Sequence, residues 1–520
     1  MEQKIFMKPK NFDIHNSDYF NEVPLPVFDE NPEYIDFYRR AWQIIRDHVK
    51  EIPGMPQTPY MDEAFIETDI WIWDTCFMMF FCKYAPNVFP GIETLNNFYQ
   101  PLLDNKPLPV LTVSQDLPDW TGLKKGEKTQ LKIHIPDNPP LFAWAEYSYA
   151  LMTGDKEHLK KLLLQDRYLQ RHYEFFDNFT EPGYVTKYTR APSCLIKMED
   201  GYLWEGGRSG MDNTPRGRLN GKAGAIERPN HPRMLWVDAI SQQALSAYCI
   251  SKIADLLEER DLVAEWTKKY EVLKEKINRI YWDEADSIYY DVHNDTREFM
   301  KCVTPASFWP LLANIPSSEQ VDKIIRYITN PNKLGGSVPW VTLARDDADF
   351  NAEHGHYWRG AVWLPTAYMG IKGLENYGKF DLANDSARKI LNHMFQTWKN
   401  YEPHTIWECY APNSYRPAQH GSERVRPDFC GWSGLGPAAL FIENVIGIYS
   451  ANAFTNVVKW ALPPVIKGKL GIKNYSFGDV VFDAVYENGV ISVKSNQPFT
   501  LEVNGKAHKI NTGVSSFDVK

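Results

Sequence analysis

No phosphate-binding glycine loop occurs in the chain, nor a G-x-G-x-x-G after a strand, a G-x-S-x-G elbow or an H-E-x-x-H pair. These absences set aside nucleotide-dependent chemistry, the α/β-hydrolase nucleophile and zincin-type hydrolysis. Cysteines are few and scattered, at Cys76, Cys82, Cys194, Cys249, Cys302, Cys409 and Cys430, without C-x-x-C spacing. A disulfide framework and a zinc site are therefore not expected, and buried free thiols suit a reducing compartment. No apolar run reaches the roughly 18 residues of a membrane span, and "MEQKIFMKPKNFDIHNSDYF" has no apolar core of a signal peptide. The chain as given is expected in the cytoplasm; an earlier removed leader, and hence a periplasmic address, is left open. Dense basic runs are missing too. With a net charge of −9, no nucleic-acid partner is expected. The longest basic cluster, "GLKKGEKTQLKIH", reads as a solvated loop.

What the chain has in plenty is aromatic residues: 17 Trp, 28 Tyr and 27 Phe, or 14%. Such a composition fits either a large core or a wide sugar pocket. Its 520 residues allow two to four domains, or one large core and a small one. Residues 1–30, polar and proline-rich, read as an N-terminal arm. Helical signals recur from Pro32 to Ser450. In "DLVAEWTKKYEVLKEKINRIYW", Leu262, Trp266, Tyr270, Leu273, Ile277 and Ile280 step by three or four, giving one apolar stripe. The preceding "MLWVDAISQQALSAYCISKIADLL" is apolar almost all round, as a helix buried on every side would be. The same alternation recurs at "PPLFAWAEYSYALMTG" with "DKEHLKKLLLQDRYLQRHYEFF", and at "GHYWRGAVWLPTAYMGIKGL" with "DLANDSARKILNHMFQTWKN". Paired inner and outer helices predict two concentric layers over 31–454, with no strand interrupting them. Residues 455–520 alternate β-branched and polar residues. Asn488-Gly489 and Asn504-Gly505 there mark hairpins of a small β-sandwich-like domain. The long loops 182–231 and 400–430 are expected on one rim of the helical layers.

Carboxylates flanked by aromatics are the remaining chemical candidates. "LWEGGRSGMDNTPRGR" sets Asp212 in a glycine-rich stretch that neither helix nor strand favours, and Asp212 is expected to lack neighbouring acidic residues. "DIWIWDTCF" carries Trp71, Trp73 and Asp74; Asp74 reads either as a helix N-cap or as a sugar-hydroxyl ligand. "HYWRGAVWLP" carries Tyr357, Trp358, Arg359 and Trp363, aromatics that read as core or as pocket wall. "TIWECYAPNSYRPAQHGSERVRPDFCGWSGLGP" carries Trp407, Glu408 and Trp432 in a loop too polar for a core. Glycoside cleavage needs one protonated and one ionised carboxyl group about the anomeric carbon. Asp212 among apolar neighbours suits the acid and Glu408 its partner, with Glu205, Glu353 and Asp428 as rivals. In "AEHGHYW", Glu353, His354 and His356 lack a third adjacent ligand, so no metal and no cofactor are expected.

"SGMDNTPR", "WIWDT", "YWRGAVW", "WECYAP" and "FCGWSGLGP" together resemble glycoside hydrolase family 63, in its bacterial mannosylglycerate-hydrolase-like branch. A more distant similarity is to family 37 trehalases. The motifs run in the family's order over roughly residues 60–445. The resemblance implies an (α/α)6 barrel (a six-hairpin toroid) and an inverting, exo-acting α-glycosidase without a catalytic metal. It implies Asp212 as general acid and Glu408 as general base. Its implied sugar wall includes Asp74, Tyr357, Trp358 and Trp363; Trp73, Asn213, Arg216, Arg359, Trp407 and Trp432 are further candidate substrate contacts. Trp236, Asp238 and Gln242, in "HPRMLWVDAISQQALSAY", continue the implied pocket floor. Three departures stand out: Arg208 replaces the Glu that often precedes "SGMDN", "WECY" stands for "WENY", and "DNPP" for "QPP". They leave open a glucoside, a mannoside or an acidic aglycone as substrate. Two other classes are weighed. One is a sugar epimerase or unsaturated-uronyl hydrolase on a similar barrel, an epimerase wanting a pair of histidine bases. The other is a non-catalytic sugar-binding protein. The expected partner is a small carbohydrate; the sequence does not address oligomeric state.

Overall fold

The structure is a computed structural model describing residues 11–51, 57–64, 70–103, 110–112, 130–134, 138–178, 195–218 and 230–519. The first ten residues of the expected arm, 122–129 of the basic cluster, Asp137, and 182–194 (with Cys194) and 219–229 of the loop 182–231 lie outside the described residues. The chain divides into two compact units. One comprises Met1–Ile133, Ala145–Asp166 and Asp428–Lys520; the other comprises His134–Trp144 and Arg167–Pro427.

The second unit is mainly helical. Val237–Leu256 is buried on nearly every face, as its even apolar composition predicts. Arg260–Ile280 packs against it and buries Trp266, Tyr270, Leu273 and Ile277, the middle of the expected stripe. Burial of each such side chain is worth about 1.5–3 kcal/mol before entropic costs. Leu364–Asn376 begins with Pro365 in its first turn, where a missing N–H costs nothing. Gly378, at φ +70°, turns the chain into Phe380–Asn400.

Two expectations need correction here. The inner helix expected from residue 355 starts only at Leu364, because positive φ at Gly355, His356, Tyr357 and Gly360 rules out helix there. Strands also do interrupt the helices. Ile196–Met198, Gly201–Leu203, Met234–Leu235, Asp291–His293 and Phe299–Met300 form one five-stranded sheet. Its strands of two or three residues are too short to show an alternating pattern. The chain leaves this sheet at Leu203, runs through the Asp212 loop, and returns to it at Met234 before Val237–Leu256 begins.

In the first unit, Glu33–Asp47 follows Pro32 and turns Phe37, Tyr38, Ala41, Trp42, Ile44 and Ile45 inward. The C-terminal strands form two sheets. The first is antiparallel and runs Leu25–Phe28, Leu470–Phe477, Val480–Glu487, Val490–Ser495, Gly513–Asp518. The expected arm thus supplies an edge strand of this sheet. The second sheet pairs Val457–Trp460 in parallel with Phe499–Val503, with Ile448–Asn452 and Lys506–Ile510 outside them. Both Asn-Gly pairs sit in tight hairpin turns with φ between +49° and +86°, which Asn and Gly tolerate. Among the described residues no helix is long and apolar enough to cross a membrane. The six described cysteines are free and buried.

Candidate active site

Asp212 owes its position to its neighbours in sequence. Asn213 accepts a hydrogen bond from Trp358 N at 2.8 Å and donates one to the His356 carbonyl at 3.0 Å. Its own carbonyl accepts from Arg359 Nε at 3.0 Å. These three bonds tie the loop to the turn 356–359. On the other side, Arg216 is fully buried. Its guanidinium donates to both oxygens of Asp238, at 2.6 and 2.9 Å, and to both of Asp291, at 2.6 and 2.8 Å. Burial disfavours the guanidinium charge, but the two carboxylates outweigh it and raise its pKa. The Trp236 ring lies 4.4 Å from the guanidinium carbon. Asp238 sits in the first turn of Val237–Leu256, where the positive end of the helix favours a carboxylate. Arg216 therefore pins the loop to a helix and a sheet at once. Gly206 completes the fit, since a Cβ there would stand 2.6 Å from the Asp212 carbonyl oxygen.

Asp212 itself has open surface, while the protein mass around it strips water from its carboxyl group. Burial first, then the charges of Glu408 and Glu205, push its pKa up to about 7. The expectation that Asp212 lacks acidic neighbours is therefore corrected: two stand within electrostatic reach. Glu205 is 3.4 Å from Arg208, the residue that departs from the family's usual glutamate.

Glu408 is held differently. Its Oε1 accepts from the Tyr357 hydroxyl at 2.6 Å, and its Oε2 from Arg426 N at 3.2 Å. Its backbone N–H donates to the Arg426 carbonyl at 3.0 Å, while Tyr410, two residues on, pairs with Val362. Burial raises the Glu408 pKa, and the Tyr357 and Arg426 hydrogen bonds oppose that rise. The loop expected to be too polar for a core is, from Thr405 to Pro412, buried; its backbone groups are satisfied by such local pairings. Tyr357 is fixed in turn. Its carbonyl accepts from Trp363 Nε1 at 3.1 Å, and its ring stacks on His420 at 4.3 Å between centroids. Trp358 and Trp363 stack on each other at 4.0 Å.

The second unit thus brings together Asp212, Asn213, Arg216, Trp236, Asp238, Tyr357, Trp358, Arg359, Trp363, Trp407 and Glu408. Trp407 is buried, with its backbone N–H bonded to the Tyr410 hydroxyl at 3.0 Å. Gln242 is buried on Val237–Leu256, and among the described residues neither polar atom of its carboxamide has a hydrogen-bond partner. The remaining three lie in the first unit. Trp73 and Asp74 occupy the first turn of Ile72–Cys82, whose N-cap is Trp71, so Asp74 is not the cap. Trp432 packs on Phe429 at 4.6 Å. Asp74 raises the pKa of the buried Glu63, after burial itself. Sequence reasoning missed Asp291, Arg426 and His420. Asp291 and His420 sit in short strands without pattern, and Arg426 acts through its backbone, which leaves no compositional trace. Among the described residues no group of three His, Cys, Asp or Glu could hold a metal ion.

A family model described as mannosylglycerate hydrolase MGH1-like glycoside hydrolase domain matches residues 106–424. An uncharacterized protein of Borreliella burgdorferi is 26% identical over 458 residues, covering 84% of each chain. Among solved structures, the family 63 mannosylglycerate hydrolase of Thermus thermophilus, in complex with Tris, aligns over 77% of this chain and 98% of its own, with TM-score 0.53 and 16% identity. A structure described as sialidase aligns over 98% of this chain, with TM-score 0.66 and 12% identity, but only 41% of its own length is covered. The family 78 rhamnosidase of Bacillus sp. GL1 aligns over 91% of this chain and 41% of its own, with TM-score 0.57 and 14% identity. At these identities the structures speak to the fold, a helical body with a C-terminal strand region. The family model speaks to more: the chain belongs to the mannosylglycerate hydrolase MGH1-like, family 63-type glycoside hydrolases, and it is a glycosidase acting on carbohydrate.

Proposed function

We propose that the enzyme is an inverting, exo-acting α-glycoside hydrolase that removes one glucose or mannose from a small α-glycoside. The observation that carries this reading is the pairing of unlike carboxyl groups: Asp212 pushed up to about 7, and Glu408 held by two hydrogen-bond donors. Burial raises both pKa values; acidic charges add to the rise at Asp212, whereas the Tyr357 and Arg426 donors oppose it at Glu408, which suits Asp212 to the acid's part and Glu408 to the base's. On this reading the protonated Asp212 gives its proton to the glycosidic oxygen as the bond to the anomeric carbon breaks. Glu408 takes a proton from a water molecule, whose oxygen attacks that carbon from the opposite face. The aglycone leaves as an alcohol, and solvent returns Asp212 and Glu408 to their starting states.

Trp358 and Trp363 give the sugar an aromatic wall, and Trp73, Asp74, Trp407, Trp432 and Gln242 are proposed substrate contacts. Asn213, Arg216, Trp236, Asp238 and Arg359 hold the acid's loop. Residues 31–454 are proposed as an (α/α)6-barrel catalytic domain, 455–520 as the small β domain and 1–30 as the arm. The Thermus mannosylglycerate hydrolase has also been solved with glucose, which accords with a hexose subsite. Of the two histidines an epimerase would want, His354 has its Nε2 3.1 Å from Glu353.

The test is stereochemical. NMR of an α-glucoside or α-mannoside digest, read before mutarotation, should show the β-anomer first. First release of the α-anomer, or a sugar trapped covalently on Glu408, would refute inversion. An inverting pair should also stand roughly 6.5–9.5 Å apart in an inhibitor complex, not the ~5–5.5 Å of a retaining pair.

A further inference from the structure

A recess lies wholly within the first unit, and none of its lining residues belongs to the site around Asp212 and Glu408. Its volume is about 690 Å³, enough for a ligand of monosaccharide to disaccharide size. Glu93, Asn96 and Glu146 are buried residues of its wall, Met152 and Phe477 add apolar surface, and Val481 is exposed.

Its chemistry is one-sided. Four carboxylates, Glu22, Glu93, Glu146 and Asp155, line it against two bases. Both bases are already engaged: Lys83 Nζ lies 3.0 Å from Glu443, and His158 Nε2 lies 2.6 Å from Glu146. Glu146 spends its other oxygen on the Tyr99 hydroxyl, at 2.6 Å. Independently of the acids, Asn96 is only 4% exposed, and among the described residues its Oδ1 has no hydrogen-bond partner. A buried acceptor without a donor costs roughly 1–3 kcal/mol, which a donor-bearing ligand would recover. The aromatic residues of the lining, Tyr149 and Phe477, are buried, so no broad ring face is offered to a neutral sugar. An excess of negative charge over apolar walls concentrates cations.

We propose that this recess binds a small organic cation, a primary ammonium on a hydroxyl-bearing body, as in an amino sugar. The ammonium answers the carboxylates, the hydroxyls supply the donor that Asn96 lacks, and the carbon skeleton lies along the exposed Val481.

The test is calorimetric titration of the full chain with glucosamine at a pH where its amine is charged, with glucose as the uncharged counterpart. Saturable binding of glucosamine is expected, with glucose at least tenfold weaker. Val481→Trp, which fills the recess from an exposed position, should weaken glucosamine at least tenfold and leave hydrolysis unchanged. Glu93→Gln should weaken it similarly. Asp212→Asn and Glu408→Gln should abolish hydrolysis and leave this binding intact, which separates the recess from the catalytic reading. Equal binding of glucose, binding that survives Val481→Trp, loss of binding in Asp212→Asn, or no heat at tens of millimolar glucosamine would each overturn the assignment.

Discussion

The segment 203–218 and the segment 405–427 each deliver one carboxyl group, and each treats it differently. Around Asp212 every strong bond goes to a neighbour: Asn213 to the turn 356–359, Arg216 to Asp238 and Asp291. Among the described residues no other side chain donates to the Asp212 carboxyl group, whose pKa only its own backbone N–H lowers. Around Glu408 the bonds go to the carboxyl group itself, from Tyr357 and Arg426. The first arrangement fixes a position and withholds solvation; the second fixes a position and supplies it. Burial raises both pKa values, and the clamp on the carboxyl group itself opposes that rise at Glu408.

The most severe way to break this contrast is to remove either group. Asp212→Asn and Glu408→Gln should each lower kcat by about 10²–10⁴-fold, the usual weight of a proton-transfer role, with the fold intact by circular dichroism. A residual rate above a tenth of normal would exclude that variant's carboxyl group from proton transfer.

Next in size is the clamp. Arg216→Met leaves Asp238 and Asp291 buried without their cation, which should cost about 3–5 kcal/mol in urea unfolding. If stability is unchanged, the Arg216 cluster does not hold the loop.

Tyr357→Phe removes one of the two donors that oppose the rise in the Glu408 pKa. The base must be ionised to act, so activity is lost as pH falls through its pKa. With that pKa higher, the acid limb of the kcat/KM profile should move to higher pH. The acid must be protonated, so the alkaline limb, set by Asp212 near 7, should stay in place. At the optimum, loss of a hydrogen bond to a charged group should cost roughly tenfold to a hundredfold. Movement of the alkaline limb alone would reverse the two assignments.

The smallest effect is expected from Trp363→Phe. It keeps a ring against Trp358 but deletes the indole N–H bond to the Tyr357 carbonyl. One neutral hydrogen bond is worth about 0.5–1.5 kcal/mol, so a few-fold loss in kcat/KM is expected; Trp363→Ala should cost far more.

Legibility in the sequence followed the range of the interactions. Local rules announced Arg260–Ile280 through its stripe, Glu33–Asp47 through Pro32, and both Asn-Gly hairpins, because i to i+4 packing and turn conformations are written in adjacent residues. The catalytic candidates were visible as carboxylates in odd company. Their electrostatics were not: Glu205 and Glu408 reach Asp212 only after the chain folds back. The same holds for Asp291, placed opposite Arg216 by a strand of three residues, and for Arg426, whose backbone serves Glu408. The left-handed turn at His356 and Tyr357 cost the expected helix its first part, since neither residue advertises positive φ.

The edge strand Leu25–Phe28 has a consequence for the order in which the molecule comes off the ribosome. Its partners are Leu470–Lys473, and the adjoining bond from Lys469 N to Asp29 spans 440 positions. At about 5–20 residues per second, the strand waits roughly 20–90 s after its own synthesis before its mate exists. The unit that carries Asp212 and Glu408 ends at Pro427, so this candidate pair can assemble while the strand Leu25–Phe28 is still unpaired. For that interval an early strand edge is exposed, and it stays so in every nascent chain that stalls before residue 470.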